Sequence, residues 1–334
     1  MLNVIIPVYK ARETLSDTLN SLCAQTNHRF ITTVVVDCDN EDYTAIHEKY
    51  SHLLALRWIE RDVNGGPGAA RQTGLDANAT SYPMCDYVMF VDADDMLLPR
   101  AVDVLYNEAK KNFADIVSAN IMCEDEGKTI NVLDASIYLT WCHAKIYRAA
   151  FLQENNIRFL DQLRANEDCY FNLVAHLLTT KKYGIDESLY LWRKNPNSIT
   201  RSGTGNFHID HNPEYLYSQV MAARRIGKAK TFYRLGPTFC NIYRAYELEF
   251  LYHKDTIEKA NELVSNLFAM PEVYAMFGNT TFLTQVVNCC KESDILDEEF
   301  IFFPHSFYSW CKMFGLDINV VKEECKNEIS DSNS

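Results

Sequence analysis

Val88-Met89-Phe90-Val91-Asp92-Ala93-Asp94-Asp95 is the stretch whose reading decides the fold. Its apolar half reads as a buried strand, and three carboxylates follow within four residues. On an extended backbone Asp92 and Asp94 point the same way. Side by side they repel and raise each other's pKa unless a cation lies between them, and a hard divalent ion, Mn²⁺ or Mg²⁺, answers that need. The competing reading is a polar turn after a strand, with Asp94 or Asp95 capping a helix that starts near Pro99.

The flanking sequence repeats one pattern. Leu2–Val8 and Ile31–Val36 are β-branched apolar runs, and Leu53–Ile59 is a third strand candidate. Helices are predicted over Arg12–Ala24, over Glu41–Tyr50, and from Gly68 to about Asn78. Strands alternating with helices imply right-handed crossovers and a parallel sheet, whose ligands sit at the carboxyl ends of the strands. Pro7-Val8-Tyr9, Asp37, the glycine-rich Asn64-Gly65-Gly66-Pro67-Gly68 and Asp92/Asp94 all fall at those ends.

Further on, Asp115–Met122 and Thr129–Leu133 predict a hairpin, and Ser188–Trp192 a strand. Trp141–Leu152 is ambiguous. Glu167-Asp168 opens an apolar helix reaching Leu178, and the polar stretch from Arg193 to Asn206 reads as a loop or lid. From about Tyr215 the texture changes to helices rich in Tyr and Phe. The expected organisation is a sheet domain holding the candidate site over 1–203 and a helical domain over 204–334 serving ligand binding or oligomerisation.

The 334 residues are 47% hydrophobic and carry a formal charge of -13, which disfavours non-specific attraction to nucleic acid or anionic lipid. Eleven irregularly spaced cysteines, with Cys289 and Cys290 adjacent, argue for reduced thiols rather than a disulfide framework. No signal peptide and no apolar run near the roughly 20 residues of a membrane helix is visible, so a cytoplasmic location is expected. One segregation stands out: no Asp or Glu lies between Glu214 and Glu247, whereas Arg224, Arg225, Lys228, Lys230, Arg234 and Arg244 do. Tyr215, Tyr217, Phe232, Tyr233 and Tyr243 interleave with them. That segment reads either as a solvated helix face or as a surface for a polyanionic acceptor.

Five segments in order over residues 2–201 resemble family 2 glycosyltransferases, inverting enzymes of GT-A fold. They are Val4-Ile5-Ile6-Pro7-Val8-Tyr9, Val34-Val35-Val36-Asp37, Asn64-Gly65-Gly66-Pro67-Gly68-Ala69-Ala70-Arg71, Phe90-Val91-Asp92-Ala93-Asp94-Asp95 and Glu167-Asp168. The resemblance implies an α/β, Rossmann-like, mostly parallel sheet flanked by helices, followed by the mainly α-helical domain. It implies a uracil-binding carboxylate at Asp37 and a DxD motif at Asp92-Ala93-Asp94, with Asp94 the direct metal ligand and Asp92 beside it. Asp168 becomes the general base, with Glu167 facing the acceptor. Pro7, Val8, Tyr9, Asn64, Gly66 and Arg71 become donor contacts. Arg193 and Arg201 are further diphosphate candidates, His208 is a third metal ligand with His211 behind it, and His143 and Lys145 line the acceptor side.

The sequence departs from the family at Cys38-Asp39-Asn40, where a second aspartate, Gly and Ser are usual, and in lacking the Gln-x-x-Arg-Trp motif of processive members. The latter points to single-sugar transfer. The expected activity is thus metal-dependent, inverting transfer from a nucleotide sugar, UDP-linked because Asp37 suits uracil. The acceptor is a glycan, a glycopolymer or another polyanionic hydroxyl compound, hydroxylated bases in DNA included, and a homo-oligomer could form through the helical domain. The alternatives are a nucleotidyltransferase on a similar sheet, or a binding module for sugar nucleotides or polyanions with a decayed site.

Overall fold

The computed structural model describes residues 1–81, 84–125, 129–134, 140–193, 212–229, 235–293 and 303–319. The chain divides into two compact units, Met1–Phe207 and His208–Ser334.

The first unit opens with β1 (Leu2–Val8), α1 (Leu15–Cys23), β2 (Phe30–Val36), α2 (Thr44–Ser51), β3 (Leu56–Glu60), α3 (Gly66–Ala79) and β4 (Tyr87–Phe90). It continues with β5 (Met96–Leu97), α4 (Ala101–Asn112), β6 (Ile116–Asp125), β7 (Thr129–Asp134), β8 (Lys145–Arg148), α5 (Ala149–Glu154), α6 (Glu167–Leu178) and β9 (Lys182–Trp192). The strands form one sheet in the order β3-β2-β1-β4-β8-β6-β9-β5, with β7 beside β6. The β3-β2-β1-β4 half is wholly parallel, and β6 and β9 also run parallel; β8, β7 and β5 join antiparallel.

β1 and β4 exist because their apolar runs are buried on both faces: all of β4 and every residue of β1 except the half-buried Pro7 lie inside. Pro7 sits in a central strand without breaking the sheet. β1 pairs with β4 only from Leu2 to Ile5, so Pro7 lies beyond the point where β4 leaves its neighbour. The parting of β1 and β4, at the switch between the leftward and rightward order of strands, opens the crevice in which such sheets hold ligands.

The ambiguous Trp141–Leu152 resolves into β8 followed by α5. The two-residue β5 was illegible because so short a strand exists only through its partner β9.

The second unit is helical: α7 (Asn212–Lys228), α8 (Gly236–Tyr252), α9 (Ile257–Phe268), α10 (Pro271–Met276), α11 (Thr280–Ser293) and α12 (Phe307–Met313). Pro237 and Pro271 start their helices where a missing N–H costs nothing. The aromatic richness is core: Trp310 is wholly buried among Tyr243, Tyr246, Phe268 and Phe307. Buried Glu247 is met by the backbone N–H and Nδ1 of His305, each at 3.0 Å.

Among the described residues no helix is long and apolar enough to cross a membrane. The described cysteines that the structure resolves as thiols, such as Cys38, Cys142 and Cys169, are free.

Candidate active site

Beyond β4 the backbone does not stay extended. It folds into a turn in which the Asp95 N–H donates to the Asp92 carbonyl at 3.1 Å. The alternation expected of Asp92 and Asp94 is therefore lost, and Asp92 and Asp95 converge instead.

Asp92 is the centre of an ionic network. Arg71, from the second turn of α3, donates to Asp92 Oδ1 at 2.6 Å and to Glu167 Oε1 at 2.5 Å. His143 Nε2 lies 3.2 Å from Asp92 Oδ2 and 3.9 Å from Asp95 Oδ2. Asp95, 1% exposed, accepts from the Tyr190 hydroxyl at 2.6 Å and from the Arg193 N–H at 2.9 Å.

Burial would raise Asp92, but the Arg71 guanidinium and His143 outweigh it and hold the carboxylate well below its usual range. Burial pushes Asp95 up to about 8 and Glu167 up to about 7, in the second case against the pull of Arg71. Burial likewise raises Asp168, with Arg71 and His143 opposing. A helix N-terminus favours an ionised carboxylate, but at Asp168 desolvation is the larger effect, and it makes the carboxylate a stronger base. For His143, desolvation is overcome by the bonded Asp92, and its pKa rises.

The neighbouring loop is built around Asp37. Its buried carboxylate accepts from the N–H groups of Gly65 at 3.0 Å and Gly66 at 2.6 Å and from Arg61. Asn64 Nδ2 donates to the Asp37 carbonyl at 2.9 Å. Two glycines are obligatory here. Gly66 has φ +82°, and a Cβ on Gly68 would fall 2.7 Å from Glu167 Cγ. Four non-glycine residues bordering this edge also adopt left-handed backbone: Lys10, Cys38, Ala144 and Asn166. Such strain concentrates where a fold positions functional groups.

Residues 3–171 match the family model of glycosyl transferase family 2. The chain belongs to that family. Among curated relatives, the poly(ribitol-phosphate) beta-glucosyltransferase of Bacillus spizizenii is 28% identical over 54% of this chain and 30% of its own length. The Staphylococcus aureus poly(ribitol-phosphate) beta-N-acetylglucosaminyltransferase TarS is 26% identical over 57% of this chain and 35% of its own. The chain thus spans about a third of the length of these two relatives. Among solved structures, S. aureus TarS 1-349 in complex with UDP-GlcNAc superimposes with a TM-score of 0.68 at 20% identity, covering 88% of this chain and 90% of that one. That likeness establishes the shared GT-A fold.

The chain therefore carries the mixed α/β, mostly parallel GT-A sheet of that family and a helical C-terminal region. Its predicted site residues separate into groups. Pro7, Val8, Tyr9, Asp37, Asn64, Gly66, Arg71, Asp92, Ala93, Asp94, Glu167 and Asp168 come from strand ends and helix starts of one sheet edge. Tyr9 is 47% exposed and Val8 and Ala93 are buried.

Several side chains stand elsewhere than expected. Arg71 is buried and bound to protein carboxylates rather than turned toward a diphosphate. Asp37 has its oxygens taken by the loop and Arg61. Arg193 directs its guanidinium to Asp17 at 3.0 Å. His143 turns its Nε2 to Asp92. Lys145 is 0% exposed, and its Nζ donates to the Trp141 carbonyl at 2.6 Å, so it touches no acceptor. Arg201, His208 and His211 lie outside the described residues. Sequence reasoning missed Arg61, Tyr190 and the two-carboxylate grip of Arg71; the one legible signal was Tyr190 within a predicted strand.

A divalent ion fits this edge. Asp92, Asp95 and His143 offer donor atoms that all lie within 4.8 Å of one another. Asp92, Asp94, Asp95, Glu167 and Asp168 outnumber the cations Arg71 and His143, and the neighbouring Asp92 and Asp94 add to the burial that raises Asp95. Half-buried Asp94 flanks the cluster without being part of it.

Proposed function

We propose that this enzyme transfers a sugar from a UDP-linked donor to a hydroxyl of a phosphate-containing glycopolymer, with inversion. The observation that carries the reading is the Arg71 bridge. One guanidinium ties the Asp92–Asp95 turn to Glu167 at the start of α6, which brings the donor side and the base side into a single site.

In this reading Tyr9 offers an aromatic face to uracil, and Asn64, Gly66 and the α3 N-terminus receive the nucleotide. Asp37 shapes that loop, and takes the imide N–H only where Arg61 swings aside. Asp168 accepts the proton of the acceptor hydroxyl as its oxygen attacks the anomeric carbon opposite the leaving diphosphate. A single base and in-line attack give inversion. Glu167 and Arg71 are positioning residues. Asp92 and His143, with Asp94 or Asp95, would hold the divalent ion, which supplies Lewis-acid neutralisation of the leaving diphosphate.

The relatives that act on poly(ribitol phosphate) and the TarS complex with UDP-GlcNAc support the choice of donor and acceptor class. The second unit supports it independently. On α7, Arg224 and Lys228 lie one turn apart with Arg225 between, in a stretch without acidic residues. Family membership favours sugar transfer over the nucleotidyltransferase reading.

The test is transfer from UDP-sugars to poly(ribitol phosphate) with Mn²⁺. Asp168→Asn should lower kcat by roughly 10²–10⁴-fold with donor binding by calorimetry retained. Full activity in that variant would remove Asp168 from the mechanism.

A further inference from the structure

Two of the four tryptophans, Trp141 and Trp192, meet beside the carboxylates, with ring centroids 5.5 Å apart at 59°. His143, whose Nε2 bonds Asp92, stacks on Trp192 at 5.8 Å and 23° and stands edge-on to Trp141 at 6.4 Å and 78°. The pair therefore adjoins Asp92 through one imidazole.

Both residues pack against the edge of the core yet stay only half-buried, unlike Trp310. The backbone that presents Trp141 is held at unusual cost. The ammonium of fully buried Lys145 and the amide of fully buried Asn172 both donate to the Trp141 carbonyl. Ala144, between His143 and Lys145, sits at φ +53°. A desolvated lysine and a left-handed alanine both cost stability. Here they fix a ring that stays partly in water. The arrangement presents the ring rather than burying it.

Topology says which substrate it meets. Tyr9, Asp37 and Gly66 follow β1, β2 and β3, on one side of β4 in the sheet; Trp141 precedes β8, and Trp192 ends β9, on the other side. The β4 carboxylates separate the two. Charge agrees, because the negative face of an aromatic ring repels phosphate oxygens and attracts C–H groups.

We infer that Trp141 and Trp192 form an acceptor subsite that stacks on the C–H face of the sugar or polyol unit beside the reacting hydroxyl. The inference rests on the glycosyltransferase reading above and adds the part of the acceptor that is recognised: the carbon skeleton, not the phosphate.

The experiment compares Trp141→Ala, Trp192→Ala and Trp192→Phe in the full chain. Acceptor KM is measured with poly(ribitol phosphate), and donor hydrolysis with UDP-GlcNAc and no acceptor. The alanine variants should raise acceptor KM about tenfold, with donor KM and hydrolysis within about twofold of wild type, and Trp192→Phe should stay near wild type. A matching rise in donor KM would assign the rings to the nucleotide and overturn the subsite. An unchanged acceptor KM would also overturn it.

A second readout needs no turnover. Ribitol phosphate should change the tryptophan emission of the wild type, and the double alanine variant should lose that change although Trp58 and Trp310 remain. No change in the wild type, or an undiminished change in the double variant, overturns the subsite. Absence of donor hydrolysis in the wild type would instead count against the proposed function.

Discussion

Glu167 carries the strongest residue-scale consequence. It is buried against Arg71, and its pKa is raised from 4.5 to about 7. Between those values the native state keeps a proton that the unfolded chain has released. Its contribution to stability is therefore fullest below pH 4.5 and declines as pH rises toward 7. Without added metal, the thermal midpoint of the wild type should fall across that window relative to Glu167→Gln. The slope difference is at most about 1.4 kcal/mol per pH unit, or roughly 2–4 °C for each kcal/mol. Parallel curves for the two proteins would show that Arg71 holds Glu167 ionised throughout. Asp92 behaves oppositely, because Arg71 and His143 keep it ionised.

At the scale of elements, the site depends on how closely two helix N-termini approach. α3 and α6 can meet only because residue 68 has no side chain, since a Cβ there would lie 2.7 Å from Glu167 Cγ and 3.0 Å from its Cβ. Gly74 plays the same part against β1, where a Cβ would fall 2.5 Å from Ile5 Cγ2. Gly68→Ala should therefore displace Glu167 and break the Arg71 bridge. The expected outcome is a loss of about 1–3 kcal/mol in denaturant unfolding and at least a tenfold fall in kcat. An Ala variant with wild-type kinetics would mean the two helices slide apart freely.

This is also where reading the sequence stopped. The glycines were visible as a loop between a strand end and a helix, and Glu167-Asp168 as a helix start. That one presses on the other is a contact across nearly a hundred residues of chain, and no local pattern encodes it.

At the scale of the molecule, charge is segregated within the second unit. The protein is acidic overall, yet α7 presents Arg224, Arg225 and Lys228 with no acidic neighbour in sequence after Glu214. If that face carries a phosphate polymer, KM for poly(ribitol phosphate) should rise with salt, because ionic contacts are screened over about 10 Å at 0.1 M. Replacing the three residues by Gln should flatten that dependence while donor hydrolysis stays unchanged. Equal salt slopes in the two proteins would leave the face a solvated one. Lys230, Arg234, Phe232 and Tyr233, which share the basic segment, lie outside the described residues.

Local pattern alone was enough for β1 to β4 and their order of appearance, the helical second half, and the shared edge of Asp37, Gly66 and Asp92, but not for β5 or β8. Burial runs, glycine and proline punctuation and carboxylate clusters are short-range signals, and the backbone obeys them. Partnership came only from tertiary structure. It turned Arg71 inward to two carboxylates, closed Asp37 with Arg61, joined Asp92 to Asp95 and His143 rather than to Asp94, and buried Lys145 to hold Trp141. Each of those outcomes sets a desolvation cost against a distant counter-charge or donor, and that balance exists only once the chain has folded.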